Sequence, residues 1–175
     1  MEGIEILKYP QEFKNTKLDT AFGYLVLAEY KLYEYHIKAK IKHFVEHLEY
    51  TQSNFYIDDI EDMSKRNDTY IYILKLRDKF CGYILFRKDS INKDSIYINQ
   101  LYINTEARRM GFAKLLLHKV EKVAKKIKRN KIYLDVAKVN KEAINLYELC
   151  DYKKSVYQLS DDDWSYEYEK ELGGK

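Results

Sequence analysis

Ten consecutive residues near the middle of the chain, Arg108-Arg109-Met110-Gly111-Phe112-Ala113-Lys114-Leu115-Leu116-Leu117, set cations and small residues at the start of a helical apolar pattern. That combination suits an anion. The first amides of a helix have no partner within it, and they point to where the positive end of the helix dipole lies. Gly111 and Ala113, both expected in the first turn, are small enough to let backbone approach a diphosphate, and Arg108, Arg109 and Lys114 would add charge there. The same residues fit a plainer use equally well, with Gly111 packing the helix against a sheet and the arginines solvated. A second stretch, Asn140-x-x-Ala143-x-x-Leu146-Tyr147, begins with a residue type that caps helices, at a place where a helical pattern opens at Lys141.

The elements that would position these residues follow from hydrophobic period. From Leu18 to Leu48 the residues Leu18, Phe22, Leu25, Val26, Leu32, Tyr33, Ile37, Ile41, Phe44, Val45 and Leu48 recur at helical spacing, which predicts one long helix or two. Residues Tyr50 to Asp68 read as loop and short helix. The period then becomes two: Thr69 to Leu76 and Phe80 to Arg87 read as strands joined by Arg77-Asp78-Lys79, and Ser95 to Ile103 as a third. A helix follows in which Ala113, Leu116, Leu117, Val120, Val123, Ala124 and Ile127 share a face. Lys131 to Val136 is again strand, Lys141 to Cys150 helix, and Tyr152 to Leu159 and Trp164 to Leu172 close the chain as strands. The order is that of a mixed α+β domain, with antiparallel hairpins at both ends and one β-α-β unit between them.

Composition narrows the rest. A chain of 175 residues with 6 Gly, 1 Pro and 46% hydrophobic residues fits one domain over residues 1–175, with no linker. The 31 Lys and Arg against 28 Asp and Glu leave a net charge of +3, no general case for a nucleic-acid partner. Lys119, Lys122, Lys125, Lys126, Lys128, Arg129 and Lys131 fall mostly on one polar helix face without interleaved aromatics, the pattern of a solvated face. Cys81 and Cys150 form neither a metal nor a redox pair by spacing, and no apolar run has membrane-spanning length. A cytoplasmic protein with no metal and no membrane partner is the expectation, as a monomer or homodimer.

Arg108-x-x-Gly111-x-Ala113, after the apolar strand Leu101-Tyr102-Ile103 and before an amphipathic helix, resembles the acyl-CoA-binding motif of the GNAT N-acetyltransferase family. The Asn140 to Tyr147 stretch is similar to that family's second block, and Tyr166 to Leu172 to its last strand. The resemblance spans roughly residues 69 to 172 and implies a mostly antiparallel sheet of six or seven strands, splayed between the fourth and fifth and flanked by helices. It implies acetyl-CoA as co-substrate. Leu101, Tyr102 and Ile103 would hold the pantetheine arm along their backbone, like an added strand. Arg108, Arg109, Met110, Gly111, Phe112, Ala113 and Lys114 would wrap the pyrophosphate. Asn140 would contact the pantetheine across the splay, with Ala143 small enough to let it pass; as a plain cap Asn140 would do equally well, and the two uses are compatible.

The activity implied is transfer of an acetyl group to a primary amine, small molecule or peptide, by direct attack in a ternary complex. Tyr147, one turn after Ala143, looks like the general acid for the leaving thiolate. The base is not assigned by the sequence. Many members of the family place Glu on the fourth strand, whereas this strand reads Ile98-Asn99-Gln100-Leu101, and neither amide can take a proton. Asn99 or Gln100 could hold a water leading to a more distant carboxylate, with Asp135, Asp58, Asp59 and Glu61 as candidates. That same gap keeps open a catalytically silent acyl-CoA sensor. Asp after Cys150, where relatives often have Gly, can adopt the left-handed turn needed there. Acidic groups at Asp58 to Asp62 and Asp161 to Asp163 would suit a cationic acceptor such as a polyamine, an aminoglycoside or a lysine-rich peptide.

Overall fold

Runs of Ile, Tyr, Leu and Phe at period two fold into strands because each alternate side chain can then be buried on one side of a pleated surface. The computed structural model describes residues 2–13, 18–38, 55–156 and 164–173. Its sheet has strands β1 (Ile4–Tyr9), β2 (Thr69–Leu76), β3 (Lys79–Lys88), β4 (Ser95–Ile103), β5 (Lys131–Ala137), β6 (Lys153–Lys154) and β7 (Ser165–Glu171). They lie in the order β1-β2-β3-β4-β5-β7-β6, and every neighbouring pair is antiparallel except β4 with β5. Helices α1 (Leu18–Lys38), α2 (Phe55–Lys65), α3 (Phe112–Lys126) and α4 (Lys141–Leu149) flank it, with a 3₁₀ turn at Thr105–Ala107.

This is the mixed fold expected, with seven strands. The expected strand from Tyr152 to Leu159 contracts to Lys153–Lys154, and residues 157–159 lie outside the described part, as do 39–48 of the first helical region and Asp161 to Asp163. The parallel β4–β5 pair is what a strand-helix-strand crossover through α3 requires.

The sheet separates two apolar layers. On one face Ile96, Ile98, Ile132, Leu134 and Val136 pack with Leu116, Leu117 and Val120 of α3 and with Ile144 and Tyr147 of α4. On the other, Ile71, Ile73, Tyr83, Leu85 and Tyr102 pack with Ala21, Leu25 and Ala28 of α1 and Ile60 of α2. Cutting a fully buried side chain such as Leu116 back to Ala would cost about 2–5 kcal/mol, enough to threaten the fold.

Two irregularities of β4 shape the middle of the molecule. Opposite β3, Ile98 pairs with Phe86 and Gln100 with Leu85, so Asn99 is an extra residue, a β-bulge. One added residue reverses the alternation. Ile96 and Ile98 face the α3 layer before the bulge; after it Leu101 and Ile103 take that side, while Tyr102 faces α1. The second irregularity is the end of pairing with β5: only Ser95 to Ile98 pair, with Lys131 to Leu134, and beyond them the two strands separate.

Candidate active site

The separation of β4 from β5 opens a cleft of about 330 Å³. Its walls are Leu101 to Ile103 of β4, the loop and first turn of α3 from Ala107 to Lys114, and the Asn140 to Leu149 side of α4, with Leu32 reaching in from α1. Of the residues expected to hold the cofactor, Met110 alone does not line it; its side chain is exposed to solvent.

The β4 edge is held by hydrogen bonds around Asn104. Its backbone N–H donates to the Cys81 carbonyl at 2.9 Å and its side-chain amide to the Phe80 carbonyl at 2.8 Å, while the Tyr24 hydroxyl donates to its Oδ1 at 3.1 Å. Gly82 lies opposite Ile103 in this pair of strands, where a Cβ would stand 2.6 Å from the Tyr102 carbonyl oxygen. Only glycine lets β3 come this close to the cleft-lining end of β4.

From there the chain turns through residues with positive φ, Arg109 at 64° and Gly111 at 80°. Left-handed residues interleaved in a turn are how backbone amides are turned toward an anion. Gly111 is the N-cap of α3, one position before the first turn in which its sequence context places it. A Cβ on it would meet nothing within 4 Å, so packing against the sheet is not its role. Its conformation and the open space beside it are. The first intrahelical bond runs from the Leu115 N–H to the Gly111 carbonyl at 3.1 Å, which leaves the amides of Phe112, Ala113 and Lys114 without helical acceptors. Arg108 donates from Nε to the Ile103 carbonyl at 3.2 Å, tying the loop to the strand it follows. Arg109 reaches across to Glu142 on α4, Nη2 to Oε1 at 2.7 Å, both side chains being largely exposed.

On the α4 wall, the Asn140 side-chain oxygen accepts the Ala143 N–H at 3.1 Å, so the cap is formed. Its amide group keeps donors for something else. Tyr147 is buried beside the rings of Tyr152 and Tyr168, at 5.8 and 6.4 Å between centroids, and borders the cleft. Burial, and then the Cys150 thiol, hold its phenol well above the usual tyrosine value. Cys150 is itself buried and its thiol pushed up, by burial first, against the pull of Lys114 and Lys170. It has the surroundings of an inert core cysteine. Asp151 takes φ of 64°, the left-handed turn expected of it.

On the opposite face of the sheet, just past the last β4–β5 pair, Gln100 donates from Nε2 to Oε1 of Glu29 at 2.6 Å and accepts the Tyr83 hydroxyl on Oε1 at 2.9 Å. Glu29 is 3% exposed on α1. The sequence reading missed it, though a signal exists: Leu25, Glu29 and Leu32 fall at i, i+4 and i+7, so an acid occupies a core-facing register. Of the carboxylates considered there, Asp135 accepts the Tyr97 hydroxyl at 2.9 Å and Glu61 pairs with Lys65 at 2.8 Å on the surface of α2. The side chains of Asp58 and Asp59 lie outside the described part. Among the described residues no group of three or more His, Cys, Asp or Glu could hold a metal ion, and no helix is long and apolar enough to cross a membrane.

Residues 29–152 match the family model described as Acetyltransferase (GNAT) family. A comparison with curated protein sequences finds no match. Among solved structures, the chain is similar to a PaiA N-acetyltransferase from Thermoplasma acidophilum in complex with coenzyme A, at 18% identity and a TM-score of 0.74 over 96% of this chain and 98% of that one. It is also similar to an N-acetyltransferase from Staphylococcus aureus, at 19% identity and a TM-score of 0.59 over 70% of this chain and 79% of that one. Arabidopsis thaliana NAA60 in complex with a bisubstrate analogue matches at 20% identity and a TM-score of 0.55, over 66% of this chain and 82% of that one. At such identities the structural likeness speaks for the fold.

Proposed function

The chain belongs to the acetyltransferase (GNAT) family, and from that premise we propose that it transfers an acetyl group from acetyl-CoA to a primary amine, by direct attack within a ternary complex. The observation that carries this reading is the cleft itself. One wall offers strand backbone at Leu101 to Ile103, and the next offers free helix amides behind a glycine whose missing side chain leaves open space. The third offers a buried phenol.

The residues fit the donor chemistry. Leu101 and Ile103 hold an extended amide-bearing arm in the manner of an added strand. The amides of Phe112 to Lys114, with Arg108, Arg109 and Lys114, receive a diphosphate. Asn140 keeps its capping oxygen on Ala143 and presents its amide donors to the arm, so capping and ligand contact coexist. Tyr147 hydrogen-bonds the sulfur that leaves. With its acidity lowered by burial it stays a phenol at neutral pH, and it passes a proton on rather than holding a charge.

The acceptor enters on the other face. There Asp135 on β5 is exposed, with Tyr97 and Tyr133 beside it, a carboxylate whose charge suits a cationic amine. Such a protein would work in the cytoplasm, as a monomer or homodimer.

Calorimetric titration with acetyl-CoA, followed by thiol release on adding a panel of primary amines, tests the reading. Binding with amine-dependent release is the expected result. Binding without release would point to an acyl-CoA sensor of the same fold, and absence of binding would overturn the site.

A further inference from the structure

Glu29 is a buried acid in an apolar stripe. It lies on the face of α1 turned toward the sheet, in a stripe whose other members Ala21, Leu25 and Ala28 are apolar and buried. On β4 its hydrogen-bond donor is the Gln100 amide. Taking a carboxylate out of water costs several kcal/mol, so an acid at a core-facing register is an expensive choice. A leucine at this register would have packed with its neighbours.

The surroundings hold that carboxylate at one spot. The Asn99 bulge turns Gln100 to the α1 side of the sheet, two residues beyond the last β4–β5 pair, where the strands part. The Tyr83 hydroxyl donates to the Gln100 carbonyl oxygen and so fixes which end of the amide faces Glu29. One turn further along α1, Leu32 lines the donor cleft, so the helix that carries Glu29 also borders the place where the thioester would lie. A bulge that re-aims one side chain, a phenol that orients it and a buried acid at its end converge on the gap in the sheet.

Resting on the acetyltransferase reading above, we propose that Glu29 is the proton acceptor of the reaction, with Gln100 and Tyr83 as the residues that position it. The proton comes from the acceptor ammonium by way of a water at the gap. The freed amine nitrogen then forms a C–N bond to the thioester carbonyl carbon, and the C–S bond breaks as the tetrahedral adduct collapses. The second proton leaving that nitrogen reaches the departing sulfur through the Tyr147 hydroxyl, which gives one proton and regains one. Products are the acetamide, free thiol and a protonated Glu29, which returns its proton to solvent.

The test uses the full chain and a fixed amine panel of spermidine, a lysine-rich peptide and an aminoglycoside. Thiol release is followed across pH for the wild type, E29Q and Y83F, with acetyl-CoA affinity and melting temperature measured alongside. The expected result for E29Q is a fall in kcat/KM of about 10²–10³-fold, loss of the acidic limb of the pH profile and an acetyl-CoA affinity within about twofold of wild type. Y83F should lower kcat several-fold and displace that limb without abolishing it, and it carries the test if E29Q does not fold. An E29Q enzyme with the wild-type profile, or a folded Y83F indistinguishable from wild type when E29Q does not fold, overturns the assignment while leaving the acetyltransferase reading intact. A wild type that releases no thiol with any of the three amines overturns both.

Discussion

Arg109 and Glu142 stand 2.7 Å apart on opposite walls of the cleft, one on the loop before α3 and the other in the first turn of α4. An exposed pair of this kind contributes little to stability, about 0–1 kcal/mol. In the proposed site its effect falls on the ligand, because there the carboxylate would compete for a guanidinium placed to meet the diphosphate. Glu142→Gln should leave the melting temperature nearly unchanged and tighten acetyl-CoA binding several-fold at low salt. The gain should vanish at high salt, where exposed charges are screened. Calorimetry at two ionic strengths measures both.

Gly111 can be probed for conformation and space separately. Its φ of 80° makes any side chain strained, yet a Cβ would meet no neighbour within 4 Å. Gly111→Ala should therefore cost about 1–2 kcal/mol, and Gly111→Asn less, since Asn tolerates the left-handed region. Gly111→Gln should abolish acetyl-CoA binding by filling the space an anion needs. Thermal melts and titrations on the three variants separate strain from occlusion, and a Gln variant that binds normally would remove the anion site.

Asn140 offers a similar separation. Removing its cap on the Ala143 amide in Asn140→Ala should cost about 1 kcal/mol. Asn140→Asp keeps the cap and discards the amide donors. If those donors hold the ligand, the Asp variant should melt like the wild type and bind acetyl-CoA about tenfold more weakly, the worth of one lost hydrogen bond of about 1–1.5 kcal/mol. Equal affinity would leave Asn140 as a cap alone.

Most of this architecture can be read from the chain because each element announces itself locally. The alternation in residues 69–76 and the helical stripe from Ala113 to Ala124 each lie within one element, and the two motifs of the cleft are contiguous stretches at element ends. What escaped is what depends on register. A bulge at Asn99 has no compositional mark, yet by adding one residue it decides which face Gln100 takes. The contact from Gln100 to Glu29 then joins residues 71 positions apart on a helix and a strand, and no spacing rule links them. The contraction of the strand expected from Tyr152 to β6 (Lys153–Lys154) has a similar origin. Alternation identifies residues able to lie in a sheet, but the length of a strand is set by its partner, here β7.

Glu167 makes a prediction about pH. It is 7% exposed, and burial raises its carboxyl above the usual range, as do the charges of Asp135 and Glu169, against a hydrogen bond from Ser155. A raised folded value means that the charged form is the disfavoured one. Its contribution to stability is complete below the ordinary value of 4.5 and is lost as pH rises through the higher folded one. Glu167→Gln should accordingly melt higher than wild type at pH 7 to 8, by about 2 °C or more, and the difference should close as the pH falls toward 4. Melting curves across that range decide it; a gap that persists at low pH would mean that the glutamine acts through packing instead.

Tyr147 makes the corresponding prediction for the reaction. Burial raises its phenol above the usual value of 10, so the hydroxyl keeps its proton throughout the range in which the protein can be assayed. No falling limb below pH 10 should trace to it, and a rate that declines between pH 8 and 9 would have to come from another group. Tyr147→Phe removes the hydroxyl and keeps the ring that packs between Tyr152 and Tyr168. It should lower kcat by about 10²-fold, the lower end of the range for a lost proton donor, and leave acetyl-CoA affinity within about twofold. The phenol is neutral in both folded and unfolded chains near pH 7, so stability there should change only by the loss of the hydroxyl's own contacts. Above pH 10 the unfolded chain ionises first and the wild type loses stability that the Phe variant keeps. Steady-state rates from pH 6 to 10, with melts at pH 7 and 10.5, test all of this together. A Phe variant with wild-type kcat would show that the leaving sulfur takes its proton from water, and Tyr147 would then be a wall of the cleft and nothing more.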